Sequence, residues 1–283
     1  MEKWKRSARL VDMVHQLLNE PYRLIPLTAF AKRYHAAKSS ISEDLTIIQE
    51  VLHAEESGQL ETMAGASGGV RYMPSMGMEE TKTVLAQLCH KLTNPERILP
   101  GGFLFMSDLL GDPVLLHHLG RIWAKIFGTS QIDAIVTIET KGIPLAYAVA
   151  FHLRKPVVIV RYDTTVTEGS VVTVNTVSGS SGRMKQLSLA RRSLPKGSRV
   201  LLIDDYMKAG GTVRGMIDLL REFEAEVVGV GVMVDSIVPE KLVDGYVSLT
   251  TVTEVDEKEK RINVEFGNLF DQGVYNNENH SDQ

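Results

Sequence analysis

The segment 200–212, VLLIDDYMKAGGT, places two acidic residues directly after a run of four apolar ones. The apolar run predicts a strand buried on both faces, as strands are in the interior of a parallel sheet. Asp204 and Asp205 follow it, and carboxylates beside a buried strand cost free energy unless a ligand or partner uses them. Gly210-Gly211-Thr212 then begins a predicted helix, whose first N–H groups form a site for an anion. We therefore expect an α/β domain with a ligand site at the carboxyl end of this strand.

The second half of the chain repeats this alternation of strand and helix. Short runs rich in Val and Ile predict strands at 134–138, 157–160, 200–203 and 227–234, and helical periodicity lies at 113–127, 143–153 and 212–223. Strands that alternate with helices favour a parallel sheet, so the predicted fold class of this region is α/β.

The first 74 residues follow a different pattern. Apolar residues at helical spacing predict three helices, and Ser40 with Glu43 forms a capping box that would open the third. Two short strands, at 60–62 and 70–72, flank a glycine-rich tip. Two helices joined by a tight turn and followed by such a hairpin are typical of a winged helix-turn-helix, which binds DNA.

Charge is sharply divided within the same 74 residues. Residues 1–40 carry eight Lys or Arg against three acids, whereas residues 41–74 carry one Arg against six acids. Although the net charge of the whole chain is −4, this division lets the first domain present a basic face to phosphates. We therefore expect a winged-helix domain at 1–74, an effector domain at 75–273 and a polar, disordered tail at 274–283.

The composition indicates a soluble protein of the cytoplasm. No apolar run approaches the roughly 20 residues of a membrane span, and the N-terminus lacks the pattern of a signal peptide. The single cysteine, Cys89, excludes an intramolecular disulfide and lies in a helical pattern that predicts a buried, unreactive thiol. The eight histidines show no metal-binding spacing, so we expect no metal site built by the protein itself.

Two further segments belong to the predicted ligand site. Residues 139–142, Glu-Thr-Lys-Gly, join the strand at 134–138 to its helix, and Lys141 adds positive charge there. Residues 161–195 are rich in Thr, Val, Ser and Gly and predict a mobile hairpin with its hinge or tip at 178–182. The alternative is an exposed β-hairpin with ordinary basic residues on its surface.

The string VLLIDDYMKAGGT resembles the signature of type I phosphoribosyltransferases, which bind phosphoribosyl pyrophosphate (PRPP). The resemblance implies that Asp204 and Asp205 hold the ribose hydroxyls and that the loop after them holds the 5′-phosphate. It also implies that the loop at 140–142 receives the diphosphate and that the following hairpin closes over PRPP. Lys208 and Ala209 replace the small or hydroxyl residues of the enzymes, so we expect a site that binds PRPP without turning it over.

Longer strings in both halves, among them RSARLVDMVHQLL, KSSISEDLTII, NPERILPGG and TKGIPLAYA, resemble the purine operon repressors of Gram-positive bacteria. This resemblance runs from about residue 6 to residue 268. It implies a homodimeric repressor of purine synthesis and salvage genes that PRPP releases from operator DNA, with a phosphoribosyltransferase-like domain and no catalysis. Two alternatives stay open: a working purine phosphoribosyltransferase or bifunctional enzyme, and a DNA-binding protein whose second domain only dimerises.

The candidate residues form two sets. Those predicted to contact phosphates or base edges of double-stranded DNA are Lys5, Arg6, Arg9, Lys32, Arg33, Lys38, Ser39, Ser40, Ser42, Thr46 and Arg71. Those predicted to bind the effector are Phe103, Thr140, Lys141, Gly142, Arg161, Ser178, Ser180, Asp204, Asp205, Tyr206, Lys208, Ala209, Gly210, Gly211 and Thr212. Asp44, an acid in the predicted recognition helix, has no role that the sequence explains.

The aromatic residues Phe103 and Tyr206 extend the prediction to nucleotides. Either ring can stack on a purine, and a core position is the alternative for both. A guanosine alarmone, with phosphates at both ends of its ribose, would fill both phosphate loops and compete with PRPP. Mg²⁺ is expected with PRPP because it neutralises the pyrophosphate. No membrane partner is expected.

Overall fold

A computed structural model describes residues 4–65, 68–163, 168–177 and 184–273. The chain forms two compact units, one that contains Met1–Gly77 and His152–Arg154 and one that contains Met78–Phe151 and Lys155–Gln283. Within the described ranges, no helix is long and apolar enough to cross a membrane. The predicted disordered tail lies outside the described residues.

The first unit contains three helices and a small antiparallel sheet. In chain order they are α1 (Arg6–Asn19), β1 (Ile25–Pro26), α2 (Leu27–Tyr34), α3 (Lys38–Ala54), β2 (Gly58–Met63) and β3 (Gly69–Pro74). β3 is the central strand and pairs antiparallel with β1 and with β2. The helices share an apolar core in which Met13, Phe30 and Ile41 are at most 1% exposed. The predicted helices and hairpin are confirmed, and β1 is added, since two residues are too few to show a pattern.

The capping box predicted for the third helix is wrong. α3 begins at Lys38, its N-cap is Ala37, and no side chain caps it. The reason lies in the preceding turn, where His35 adopts a left-handed backbone with φ 50° and ends α2. The chain therefore enters α3 before it reaches Ser40, which lies inside the first turn, while Glu43 is exposed.

The second unit is built on a six-stranded sheet. Its helices are α4 (Met78–Leu92), α5 (Ser107–Leu110), α6 (Pro113–Phe127), α7 (Gly142–Leu153) and α8 (Gly211–Arg221), and its strands are β4 (Ile98–Leu99), β5 (Phe103–Leu104), β6 (Ala134–Ile138), β7 (Val157–Val160), β8 (Val171–Val177), β9 (Met184–Ala190), β10 (Arg199–Met207), β11 (Glu226–Ser236), β12 (Val247–Asp256) and β13 (Arg261–Phe266). The large sheet has the order β13-β12-β11-β10-β6-β7, and its neighbours are parallel except for β12 with β13. The α/β class and the four predicted strands are confirmed. Cys89 on α4 is partly buried, and burial raises the pKa of its thiol to about 11, as an unreactive thiol requires.

β10 is longer than predicted and carries the two aspartates within it. It pairs with β6 over residues 200–202, and it stays paired with β11 as far as Met207. Residues 204–207 therefore extend beyond the pairing with β6 at the carboxyl end of the sheet. Ligands bind in this region in open parallel sheets.

The hairpin predicted within 161–195 is present. β8 and β9 pair antiparallel, and Leu187 and Leu189 enter the core of the second unit. Thr176 on β8 donates its hydroxyl to the carbonyl of Gly211 at 3.1 Å, so the hairpin packs against the start of α8. The predicted site residues Ser178 and Ser180 lie outside the described residues.

Candidate ligand site and nucleic-acid interface

A cleft opens at the carboxyl end of β10 in the second unit. Its lining residues are Gly101, Gly102, Phe103, Asp204, Tyr206, Met207, Lys208, Ala209, Gly210, Gly211, Thr212 and Val213. Eight of the residues predicted to bind the effector line this one cleft. The structure thus brings a glycine-rich segment and a strand end together across about a hundred residues of sequence.

Asp204 and Asp205 form the acidic part of the site. Asp204 is 4% exposed, and burial, together with the charge of Asp205, raises the pKa of its carboxyl well above the usual range. Burial also raises the pKa of Asp205, although its hydrogen bond with Asp204 and the charge of Lys141 act in the opposite direction. A ligand that donates hydroxyl hydrogens or brings a cation would stabilise the ionised pair, which is costly in its absence.

The loop from Lys208 to Gly210 leads from the acids into α8. Gly210 has φ 89°, a left-handed conformation, and a Cβ there would lie 3.3 Å from Val243, so glycine suits this position best. α8 begins at Gly211, and the N–H groups of a first helical turn have no acceptor within the helix. These groups lie at the cleft, where the positive end of the helix dipole favours a phosphate.

Residues 140–142 approach the same acids from the end of β6. A Cβ on Gly142 would lie 3.4 Å from Asp204 Oδ1 and 2.2 Å from Thr137 Oγ1, so a side chain does not fit. Thr140 and Lys141 are exposed, and the charge of Lys141 lowers the pKa of Asp205. Both predicted phosphate loops therefore meet at one acidic pair.

Tyr162 contacts a residue of the cleft, although no sequence pattern identifies it. Its hydroxyl bonds the side chain of Thr212, and Lys185 Nζ lies 4.4 Å from the centroid of its ring. Burial raises the pKa of its phenol, and the charges of Asp204 and Asp205 add to the shift. A tyrosine just after a strand has no local signature, so only the packing reveals its contact with Thr212, which follows the loop from Lys208 to Gly210 (hereafter the phosphate loop).

Arg161 is engaged by carboxylates outside the cleft. Its Nη1 donates to Glu139 Oε2 at 3.2 Å, and its Nε lies 3.6 Å from Glu168 Oε1. Glu139 Oε1 also accepts the backbone N–H of Tyr162 at 2.7 Å. In this conformation Arg161 joins the end of β6 to the end of β7 and does not line the cleft.

Two aromatic rings lie beside the phosphate loop. Phe103 on β5 is 51% exposed, so the alternative of a core position is wrong for this residue. Tyr206 is partly buried, its hydroxyl bonds the side chain of Ser236, and burial raises its pKa. Both rings line the cleft, as binding of a flat base would require.

In the first unit, most side chains predicted to contact DNA are exposed. The exposed ones are Lys5, Arg6, Lys32, Arg33, Lys38, Ser39, Ser42 and Thr46, while Ser40 and Arg71 are partly buried. Arg33 bonds Asp12, and Arg71 bonds Glu61. Within the described part of the chain the three lysines of this set form no ion pair. They are therefore the cations most available to phosphate.

Arg9 is buried, so we remove it from the residues predicted to contact DNA. It is 6% exposed, and its Nε bonds the carboxylate of Asp44, which is fully buried on α3. Arg6 donates to the other oxygen of Asp44 at 3.0 Å. These hydrogen bonds join α1 to α3, and they explain the role of Asp44, which the sequence alone does not reveal. A guanidinium held in this way cannot reach a phosphate.

Known families and proteins match both units. Residues 5–74 match the family model described as bacterial purine repressor, N-terminal, and residues 107–270 match the phosphoribosyl transferase domain. The purine biosynthesis transcriptional repressor PurR of Bacillus subtilis (strain 168) is 52% identical over 95% of this chain and 94% of its own length. The purine biosynthesis transcriptional activator PurR of Lactococcus lactis subsp. lactis is 42% identical over 94% of this chain and 98% of its own length. A xanthine phosphoribosyltransferase of Deinococcus deserti is 34% identical over 49% of this chain and 74% of its own length.

Proposed function

This chain belongs to the bacterial purine repressor family, and we propose that PRPP bound in the cleft of its second unit releases its first unit from operator DNA. The chain is a transcriptional repressor of purine biosynthesis, as its family and its Bacillus relative indicate. The observation that carries the PRPP proposal is the buried pair Asp204–Asp205 beside two loops suited to phosphate. A ligand with adjacent hydroxyls, a phosphate and a diphosphate matches these features together.

The match to PRPP can be followed group by group. The ribose hydroxyls would donate to Asp204 and Asp205, which would offset part of the cost of two neighbouring carboxylates with little solvent. The 5′-phosphate would accept from the first N–H groups of α8 and from the hydroxyl of Thr212. The diphosphate would meet Lys141. Because Thr212 bonds Tyr162 in the free protein, phosphate binding would exchange one partner of Thr212 for another.

Mg²⁺ would accompany PRPP and neutralise its diphosphate. The carboxylates of Asp204 and Asp205 are hard oxygen donors, which suit this ion. Mg²⁺ usually keeps several waters, so it needs few protein ligands when it arrives with a phosphate. The chain's own contribution is to hold the ribose beside it.

Purine nucleotides would compete for the same cleft. Phe103 and Tyr206 offer ring faces for stacking on a base, beside the loop that would take a phosphate. A guanosine alarmone carries phosphates at both ends of its ribose and would occupy both loops. Such a ligand would act against PRPP by excluding it.

We expect the site to bind PRPP without transferring it. Lys208 lines the cleft where the resembling enzymes carry a small or hydroxyl residue. A cation that stabilises bound phosphate as strongly as the transition state adds affinity and leaves the rate of transfer low. The similarity of about half the chain to a xanthine phosphoribosyltransferase supports the alternative of residual transfer, which the assay below tests.

DNA binding would use the exposed face of the first unit. Lys5, Lys32 and Lys38 would contact phosphates, and the short polar side chains of α3 would meet base edges. A homodimer would place two such faces on two half-sites. PRPP needs only to bind one arrangement of the dimer more tightly than another to change its affinity for DNA.

Two assays on the full-length protein test this function. A gel shift of purine promoter DNA, with and without PRPP and Mg²⁺, should show a protein–DNA complex that dissociates when PRPP is added. A pyrophosphate-release assay with each purine base should show no turnover. Base-dependent release of pyrophosphate would identify an enzyme. DNA binding that does not respond to PRPP would indicate that the second unit serves only in dimerisation. Lys38→Ala should weaken the shift, and Lys258→Ala, an exposed lysine of the second unit, should not.

A further inference from the structure

The carbonyl groups of the phosphate loop are bonded to a segment, residues 235–246, that the proposed function does not use. Lys241 Nζ donates to the carbonyl of Lys208 at 2.6 Å. The backbone N–H of Leu242 donates to the carbonyl of Ala209 at 2.8 Å. Lys208 and Ala209 both line the cleft, so these bonds fix the peptide units of the candidate phosphate site.

Because peptide units are planar, these two hydrogen bonds also set the direction of the backbone N–H groups of Ala209 and Gly210. In a trans peptide unit, the C=O of one residue and the N–H of the next point in opposite directions. The units that follow Lys208 and Ala209 are trans. Holding their carbonyls towards Lys241 and Leu242 therefore directs the N–H groups of Ala209 and Gly210 away from that segment. Both residues line the cleft, where a phosphate would accept these hydrogens.

Lys241 is itself fixed by a buried carboxylate. Its Nζ donates to Asp235 Oδ1 and to the carbonyl of Ser236 at 2.7 Å, so the three ammonium hydrogens all have acceptors. Asp235 is 7% exposed, and its other oxygen accepts the hydroxyl of Tyr246 at 2.9 Å. An ammonium group with three acceptors and a buried counter-ion has little freedom to move. It can therefore hold the carbonyl of Lys208 in one place.

We propose that Lys241 is a positioning residue for the phosphate loop, which holds the N–H groups of Ala209 and Gly210 ready for the 5′-phosphate of PRPP. The inference rests on the proposed function, since it presupposes that this loop binds that phosphate. Donors that are already oriented bind an anion without the cost of ordering them. Asp235 serves the same purpose indirectly, as the counter-ion that keeps Lys241 in position.

Isothermal titration calorimetry with three ligands distinguishes this role from general support of the fold. PRPP with Mg²⁺ and ribose 5-phosphate both use the phosphate loop, whereas inorganic pyrophosphate uses the loop at 140–142. In Lys241→Met, affinity for the first two should fall about tenfold, as expected from disturbing one or two hydrogen bonds to a charged ligand. Affinity for pyrophosphate should not change. Lys241→Arg, which keeps the charge and the donors, should recover most of the loss.

Lys258→Met is the matched control, since it removes an exposed lysine of the same unit and should leave all three affinities unchanged. An equal loss for pyrophosphate and ribose 5-phosphate in Lys241→Met would overturn the proposal, and so would unchanged binding of ribose 5-phosphate. If Lys241→Met does not fold, Asp235→Asn takes its place and should weaken the binding of PRPP and of ribose 5-phosphate by about threefold each, while the affinity for pyrophosphate stays unchanged. Unaltered binding in that variant contradicts the proposal. Wild-type protein that binds neither PRPP nor ribose 5-phosphate would instead refute the proposed function.

Discussion

Two buried aspartates, one in each unit, differ in what compensates their charge. Asp44 on α3 is fully buried and accepts hydrogen bonds from Arg6 and Arg9. Asp204 on β10 is 4% exposed; its Oδ1 accepts the backbone N–H of Asp205 at 3.0 Å, and the side chain of Asp205 beside it is a second carboxylate. The charge of Asp44 is compensated within its own unit, whereas the ionised form of Asp204 is raised in free energy by burial and by the like charge of Asp205.

Asp44 therefore serves the fold, whereas we expect the charge of Asp204 to be compensated by a bound ligand. Breaking the bonds of Asp44 can only weaken the packing of α1 on α3. Asp204, in contrast, gains stability when something outside the chain supplies hydrogens or positive charge. A ligand gains most from groups that the free protein leaves unfavourable, which is why perturbed carboxyls concentrate at binding sites.

The largest effect is expected when the structural acid is removed. Asp44→Ala leaves Arg9 buried without its counter-charge, so the free energy of unfolding of the first unit should fall by about 3–5 kcal/mol. Chemical denaturation followed by far-UV circular dichroism measures the loss. Glu43→Ala changes the adjacent, exposed acid and should stay within about 0.5 kcal/mol of wild type. Equal stability of the two variants would break the comparison.

A smaller effect, on binding instead of folding, is expected at the ligand-facing acid. Asp204→Asn removes a buried charge, so thermal stability should be unchanged or higher, while affinity for PRPP should fall about 10- to 100-fold. Calorimetry and thermal melts of the same sample measure both. Asp218→Asn on α8, where the carboxylate bonds Arg221, is the control for a change of charge near the loop. PRPP affinity equal to wild type in Asp204→Asn would show that this acid does not hold the ribose.

The smallest effect is an opposite dependence on pH in the two units. A hydrogen bond from Arg33 leads the interactions that lower the pKa of Asp12 to about 2, so its contribution to the first unit is present above the unfolded pKa of about 3.9 and lost as pH falls towards 2. The pKa of Asp204 is raised, so its effect on the second unit has the opposite sign. With respect to this group the unit is most stable below the unfolded pKa of about 3.9, where the carboxyl is protonated. That stability is lost as pH rises through the raised pKa.

Denaturation midpoints of the two units, measured from pH 2 to 7, test these signs. Asp12→Asn should flatten the profile of the first unit, and Asp204→Asn or saturating PRPP with Mg²⁺ should flatten that of the second. Parallel profiles for the two units would contradict the contrast between their acids.

Elements with a continuous local pattern were open to prediction from the sequence. β6 and α6 lie at the predicted 134–138 and 113–127, because an apolar run and the Asp112-Pro113 start are both local signals. β10 continues past its predicted end, since pairing with β11 decides whether a strand extends beyond an acid. The capping box failed for a related reason, as the turn at His35 decided where α3 begins.

The α/β class, the acid pair and the glycine loops could be predicted from the chain alone, because each is contiguous and reflects burial or turn geometry. The hydrogen-bond partners of these groups depend on tertiary packing. Arg9 reaches Asp44 across 35 residues, and Lys241 reaches the carbonyl of Lys208 across 33. Such partners are selected by the packing of distant segments, and hydrogen bonds between them leave no periodic trace in the chain. The same packing brought Tyr162 to Thr212, a residue of the candidate site.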